Sequence, residues 1–174
     1  MDNGAETPID AVWPGVALFA HLGFHLEYNE KVLEEEFKEC VGGNLKDFMA
    51  LDAFDSLFLN GKANQEAQNP SKYLLYQDPM AGTFDQEVVK SGVDTGAYYE
   101  KLKEQMAACQ ENSFAYAALF AYYEKLAAVL ADKADLGVRM KAAYDKNQLQ
   151  DLKKICADFV AAFEQKLALG TTEC

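Results

Sequence analysis

Arginine is nearly absent from this chain. Arg139 is the only one, and Lys and Arg together number 16 against 28 Asp and Glu, for a formal charge of −12. A surface so short of cations repels phosphate backbones and anionic headgroups, so neither nucleic acid nor membrane is an expected partner. No apolar run approaches the ~18 residues of a membrane span. A basic leader is missing too: the chain opens with Asp2 and Glu6 where a secretory signal would carry positive charge. Cysteine is sparse and widely spaced. Cys40, Cys109, Cys156 and Cys174 form no C-x-x-C pair, and the first three fall within helical patterns, where a free thiol packs as a small hydrophobe. These features predict a reducing, cytoplasmic setting. A phosphate-cradling glycine loop and a G-x-S-x-G elbow are also lacking, and no cofactor is expected.

What is present is a chain of 174 residues, half of them hydrophobic, long enough to bury roughly two thirds of its unfolded surface as one domain. Thr7-Pro8-Ile9-Asp10 reads as a helix start. Ile9, Val12, Trp13, Val16, Phe19 and Leu22 then recur at three- and four-residue steps, which predicts one inward face, with Pro14 a possible kink. A second helix fits 30–41 between Asn29 and Gly42-Gly43, and a short third follows Asn44. Residues 96–111, 113–132, 134–145 and a last helix begun by a capping box of Asn147 and Gln150 complete the pattern. The 113–132 segment is apolar nearly all round, which predicts the most buried helix. From 55 to 96 the glycines and the N-G, N-P and D-P pairs predict one long structured loop, with only Lys72–Gln77 regular, as a short extended segment. The expected fold is an all-α bundle of about five to seven helices.

Few constellations could carry chemistry. His21 and His25 stand four apart on the first helix and share a face, so they could hold a metal with Glu27 as third ligand; without an H-E-x-x-H pattern the ordinary reading is two histidines at a helix end, and no metal is expected. Glu34-Glu35-Glu36 and Glu39 read as a solvated acidic face. Tyr116, Phe120, Tyr122 and Tyr123 read as core or interface, with a sugar platform as the competing use. A Cys–His nucleophile has no local support. Asp2 and Glu6, just ahead of a helix N-terminus, suit its dipole.

Two blocks nevertheless resemble a known family. Asp2-Asn3-Gly4-Ala5-Glu6 followed by Trp13-Pro14-Gly15-Val16-Ala17-Leu18-Phe19-Ala20 is similar to the junction in bacterial glycoside hydrolase family 20 β-N-acetylhexosaminidases where the last barrel strand hands over to a C-terminal helical domain. Asn69-Pro70-Ser71-Lys72-Tyr73-Leu74-Leu75-Tyr76-Gln77-Asp78-Pro79, with Gly82 and Phe84-Asp85, resembles a loop-and-strand motif of that domain. Leu136-Gly137-Val138-Arg139 and Ala143-Tyr144 fit a later helix.

The resemblance implies that residues 1–7 are a remnant of the junction and 8–174 the helical domain, truncated at both ends. The (β/α)8 barrel, with the Asp–Glu pair that cleaves terminal N-acetylhexosamine, is the missing partner. Asp2, and less directly Glu6, would bind substrate hydroxyls in the whole enzyme through charge-assisted hydrogen bonds. The chain alone is then expected to be inert, with no catalytic residue of its own. It is also expected to self-associate through Trp13 and Phe19 or through the Tyr73–Tyr76 segment. The competing reading is a free-standing acidic helical interaction module, and a weaker one is a di-histidine metal protein.

Overall fold

The computed structural model describes residues 8–57 and 69–171, with side chains to residue 165. Asp2, Glu6 and the junction segment lie outside the described residues. Among those residues every regular element is a helix: α1 (Trp13–His25), entered through a 3-10 turn at Ile9–Val12; α2 (Glu30–Val41); α3 (Leu45–Met49), continued by a 3-10 turn at Ala50–Asp55; α4 (Pro70–Tyr76); α5 (Asp85–Ser91); α6 (Thr95–Asn112); α7 (Ala117–Lys133), after a 3-10 turn at Phe114–Tyr116; α8 (Leu136–Asp145); and α9 (Leu149–Thr171). The fold is all-α.

Residues 58–68 of the predicted long loop, with its N-G pair, lie outside the described residues; the part from 69 to 96 is less irregular than its punctuation predicts. Its N-P pair is a helix start: Asn69 Oδ1 accepts from the Lys72 N–H at 3.0 Å and from the Ser71 hydroxyl at 3.0 Å, with Pro70 in the first turn. Lys72–Gln77, expected to be extended, is therefore mostly the body of α4. Gly92, at φ 66°, ends α5 in the left-handed conformation that glycine adopts without strain. Asn147 is also a stop signal. At φ 55° it closes α8, its N–H donating to Tyr144 O while the Gln148 N–H reaches back to Ala143 O. Those paired bonds are a Schellman motif with Asn in the glycine position, not the expected N-terminal cap.

The chain divides into two compact units, residues 1–52 with 104–124 and residues 53–103 with 125–174, so that α6 and α7 each contribute to both. In the first unit α2, α3, the end of α6 and the start of α7 bury Phe37, Phe48, Met106, Cys109 and Phe120. Phe48 is the hub: its ring meets Phe37 at 5.2 Å, Tyr116 at 4.9 Å and Phe120 at 5.4 Å, all edge to face. In the second unit Leu74, Val88, Tyr99, Leu102, Leu130 and Leu136 are buried. There the Tyr98 hydroxyl donates to Ala53 O at 2.5 Å, and Tyr73 stacks on Phe84 at 4.4 Å.

Two expectations about burial need correction. α7 buries one side only; Leu119, Phe120, Tyr123, Ala127 and Leu130 are inside, while Tyr122 is half exposed and Phe114 at its entrance is exposed. Its apolar reverse side is largely alanine, which is indifferent to water at small cost. By length and composition Phe114–Asp145 could cross a membrane, although no long apolar run was evident. Its buried residues and the turn at 134–135 make it a pair of core helices. α1 departs further: of its predicted inward face, Val16, Phe19 and Leu22 are exposed, and its one buried residue is His21.

Candidate functional site

The buried side of α1 is polar because of what faces it. α1 ends at Leu26, whose φ of 59° turns the chain back. Asn29 then starts α2, its side chain accepting from the N–H groups of Lys31 at 3.1 Å and Val32 at 3.3 Å. The hairpin sets Glu36 of α2 opposite His21 and His25, which share a face at four-residue spacing. Glu36 Oε2 lies 2.7 Å from His21 Nδ1, and its Oε1 lies 2.5 Å from His25 Nε2. The imidazoles themselves approach to 4.7 Å between centroids, and Tyr28 sits edge-on to His21 at 6.3 Å. Both histidine bonds hold the Glu36 carboxyl below the usual carboxylate range.

The protons in this bridge are determined by a fourth group. The Asn29 backbone N–H donates to His21 Nε2 at 3.2 Å. A neutral imidazole has one N–H, so His21 must carry its proton on Nδ1 and give it to Glu36. That assignment decides between the two uses of the cluster. The ligating atoms of His21, His25 and Glu36 lie within 4.8 Å of one another, close enough for one ion. A metal on His21 Nδ1 would push its proton to Nε2, against the Asn29 N–H in a site where His21 is 2 % exposed. Two donors would then face each other away from water, an arrangement costing about 1–3 kcal/mol for each group left unpaired. His25 and Glu36 alone fall short of the three protein ligands typical of a zinc centre. The geometry is that of a proton-sharing bridge between two helices.

Glu27, the third ligand proposed from the sequence, is not among these residues; Glu36 is. Glu36 was legible only as part of an acidic stripe, of which Glu35 and Glu39 are exposed while Glu34 pairs with Lys46 at 2.9 Å. Folding the helices about residues 26–29 places 34–36 opposite 21, and that hairpin symmetry is the signal which could have found it.

A second polar cluster lies in the core of the same unit. The Ser113 hydroxyl donates to Asp47 Oδ2 at 2.7 Å and accepts from the Asn44 N–H at 3.0 Å. Burial first, and Asp47 beside it, pushes the Cys109 thiol up to about 12. A thiol so reluctant to ionise is no nucleophile, and both histidines are held by Glu36. Of the aromatic group, Phe120 and Tyr123 are core, the Tyr116 hydroxyl donates to Val41 O at 2.9 Å, and Tyr122 is half exposed. In the second unit the Asn69–Asp85 block is a helix and a turn. Gln77 Oε1 accepts from the Phe84 N–H at 3.3 Å, Lys133 donates to Leu75 O, and the Asp85 carboxylate lies over Gly137 of α8.

The family model of the Glycoside Hydrolase 20C C-terminal domain matches residues 46–169, from within α3 into α9. The chain belongs to that family. No curated protein and no solved structure matches it.

Proposed function

Proceeding from that membership, we propose that the chain is the C-terminal helical domain of a family 20 exo-β-N-acetylhexosaminidase, catalytically inert alone and serving to support the catalytic barrel. The observation that carries this is the family match over residues 46–169. The site chemistry supports it: a His–Glu–His bridge and a buried Asp47–Ser113 pair hold helices together, and both are satisfied by protein groups. In the whole enzyme the barrel would supply the acid Glu and the Asp that orients the substrate acetamide, whose oxygen acts as nucleophile with retention at the anomeric carbon. Asp2 and Glu6 are the residues of this chain proposed to reach the sugar hydroxyls, in a cytoplasmic enzyme.

Two measurements on the purified chain test the proposal. Alone, it should release no product from a chromogenic N-acetyl-β-glucosaminide. Added to the catalytic domain of a family 20C hydrolase expressed without its C-terminal domain, it should raise that domain's melting temperature, because anything that binds only the folded state stabilises it. Turnover by the chain alone, abolished by mutating one of its own residues, would overturn the proposal. So would a catalytic domain whose melting temperature ignores the chain at saturating concentration, the behaviour of a free-standing module.

A further inference from the structure

Between Ile9 and Tyr28 eight large apolar side chains are exposed, a density that the rest of the described surface does not repeat. A helix apolar on most of its circumference belongs between two layers, and α1 has one, formed by α2 and α3, with α2 held through Glu36 on the His21–His25 side. At 3.6 residues per turn the opposite side carries Val16, Phe19, Ala20 and Gly23. Phe19 is 83 % exposed. Gly15 and Gly23 add a separate observation. Glycine is the least favourable ordinary residue inside a helix, yet a Cβ built on either would meet nothing within 4 Å. Packing among the described residues gives no reason for either glycine; close approach of another backbone does.

We infer that this side of α1 is the seat of the catalytic domain of a family 20 hydrolase, with Phe19 as its anchor and Gly23 as its point of closest approach. The inference rests on the functional reading in the preceding subsection. α1 stands on the N-terminal side of the matched residues 46–169, the side from which a C-terminal domain joins the rest of its enzyme, so the catalytic domain is tethered beside this helix at high effective concentration. A second copy of the chain fits less well. Its charge is −12, and α2 alongside α1 carries Glu30, Glu34, Glu35 and Glu39 besides Glu36. A symmetric pairing brings two such net charges together, at an electrostatic cost. The Glu36 bridge has a positioning role here, because it determines which side of α1 is turned outward.

The test is sedimentation of the full chain, by itself and with the same separately expressed catalytic domain. It compares wild type, Phe19→Asp, Gly23→Leu and, as control, Tyr144→Asp, which alters an exposed aromatic of the other unit. Phe19→Asp touches a side chain already in water, and Gly23→Leu raises helix propensity, so both variants keep the fold, as circular dichroism will show. Wild type and Tyr144→Asp should bind alike, and Phe19→Asp and Gly23→Leu more weakly by roughly tenfold or more. Equal binding by all four overturns the docking face and leaves the functional reading standing. No binding by wild type overturns the functional reading and the docking face with it. A wild-type dimer that Phe19→Asp abolishes, with no heterocomplex, overturns the inference in favour of a second copy.

Discussion

Gly43 and Phe48 make a close contact whose energetics can be worked out in advance. Gly43 is buried at the turn between α2 and α3, and a Cβ built there would stand 2.6 Å from Phe48 Cε2 and 3.4 Å from Tyr116 Cδ2. Its φ lies outside the left-handed range, so alanine meets no backbone strain. Reduced unfolded-state entropy alone would therefore make Gly43→Ala stabilising by about 0.4–1 kcal/mol. The contact opposes this. Phe48 is 1 % exposed and held edge to face by three rings, so it cannot swing aside, and overpacking of this kind costs about 1–3 kcal/mol. The net expectation is a loss of roughly 1–2 kcal/mol.

Phe48→Leu keeps apolar volume and gives up three ring contacts worth at least ~0.5 kcal/mol each, so it should lose about 1.5–3 kcal/mol. The diagnostic is the double variant. Leucine vacates the space the new methyl needs, so the pair should be about 1 kcal/mol more stable than the sum of the single losses. Urea unfolding followed by circular dichroism, with unchanged denaturant slope, measures all four corners of the cycle. Additivity within about 0.5 kcal/mol, or a Gly43→Ala variant more stable than wild type, would refute the steric reasoning.

The Glu36 bridge makes stability depend on pH with a definite sign. The folded carboxyl ionises at lower pH than the unfolded one, whose ordinary value is 4.5, so its contribution is complete above that value and lost as pH falls through the depressed one. Glu36→Gln should therefore melt below wild type at neutral pH, with the gap closing towards pH 3; a gap independent of pH would refute the bridge. Cys40 and Cys156 are exposed and Cys109 is buried, with its thiol pushed up to about 12. At pH 8 iodoacetamide should label the first two rapidly and Cys109 only in denaturant, as read by mass spectrometry, and early labelling of Cys109 would contradict the packing around Asp47. Gly137→Ala would bring a Cβ to 2.6 and 2.7 Å from the Asp85 oxygens. It should lower the melting temperature despite alanine's better helix propensity, and Asp85→Ala in the same chain should restore it.

How far these features were legible in the sequence depends on the reach of each signal. Local ones carried well. Asn29 and Asn44 cap the helices they precede, and Gly42 ends α2 at φ 81°, because a cap needs only its own few residues. Short polar residues misled where one chemistry serves opposite ends of a helix. Asn69-Pro70 starts α4 where a turn was read, and Asn147 ends α8 where a start was read. Asn bonds readily to nearby backbone and tolerates positive φ, so its presence marks a boundary without saying which. The Glu36 bridge lay beyond local pattern altogether, fifteen and eleven residues from its histidines.

α1 marks a different limit. Periodicity found an apolar stripe on it and assumed that a stripe points inward. A helix with mean hydropathy as high as that of WPGVALFAHLGFH has no side that declares itself. What selects its inward side within this chain is one carboxylate, since Glu36 satisfies the buried His21 imidazole, which would otherwise lose its water, and also bonds the exposed His25, while Phe19 is left almost wholly in water. Polar groups have few acceptable partners and so orient a helix. Apolar ones accept any covering surface, and so leave its outer side for whatever the chain is joined to.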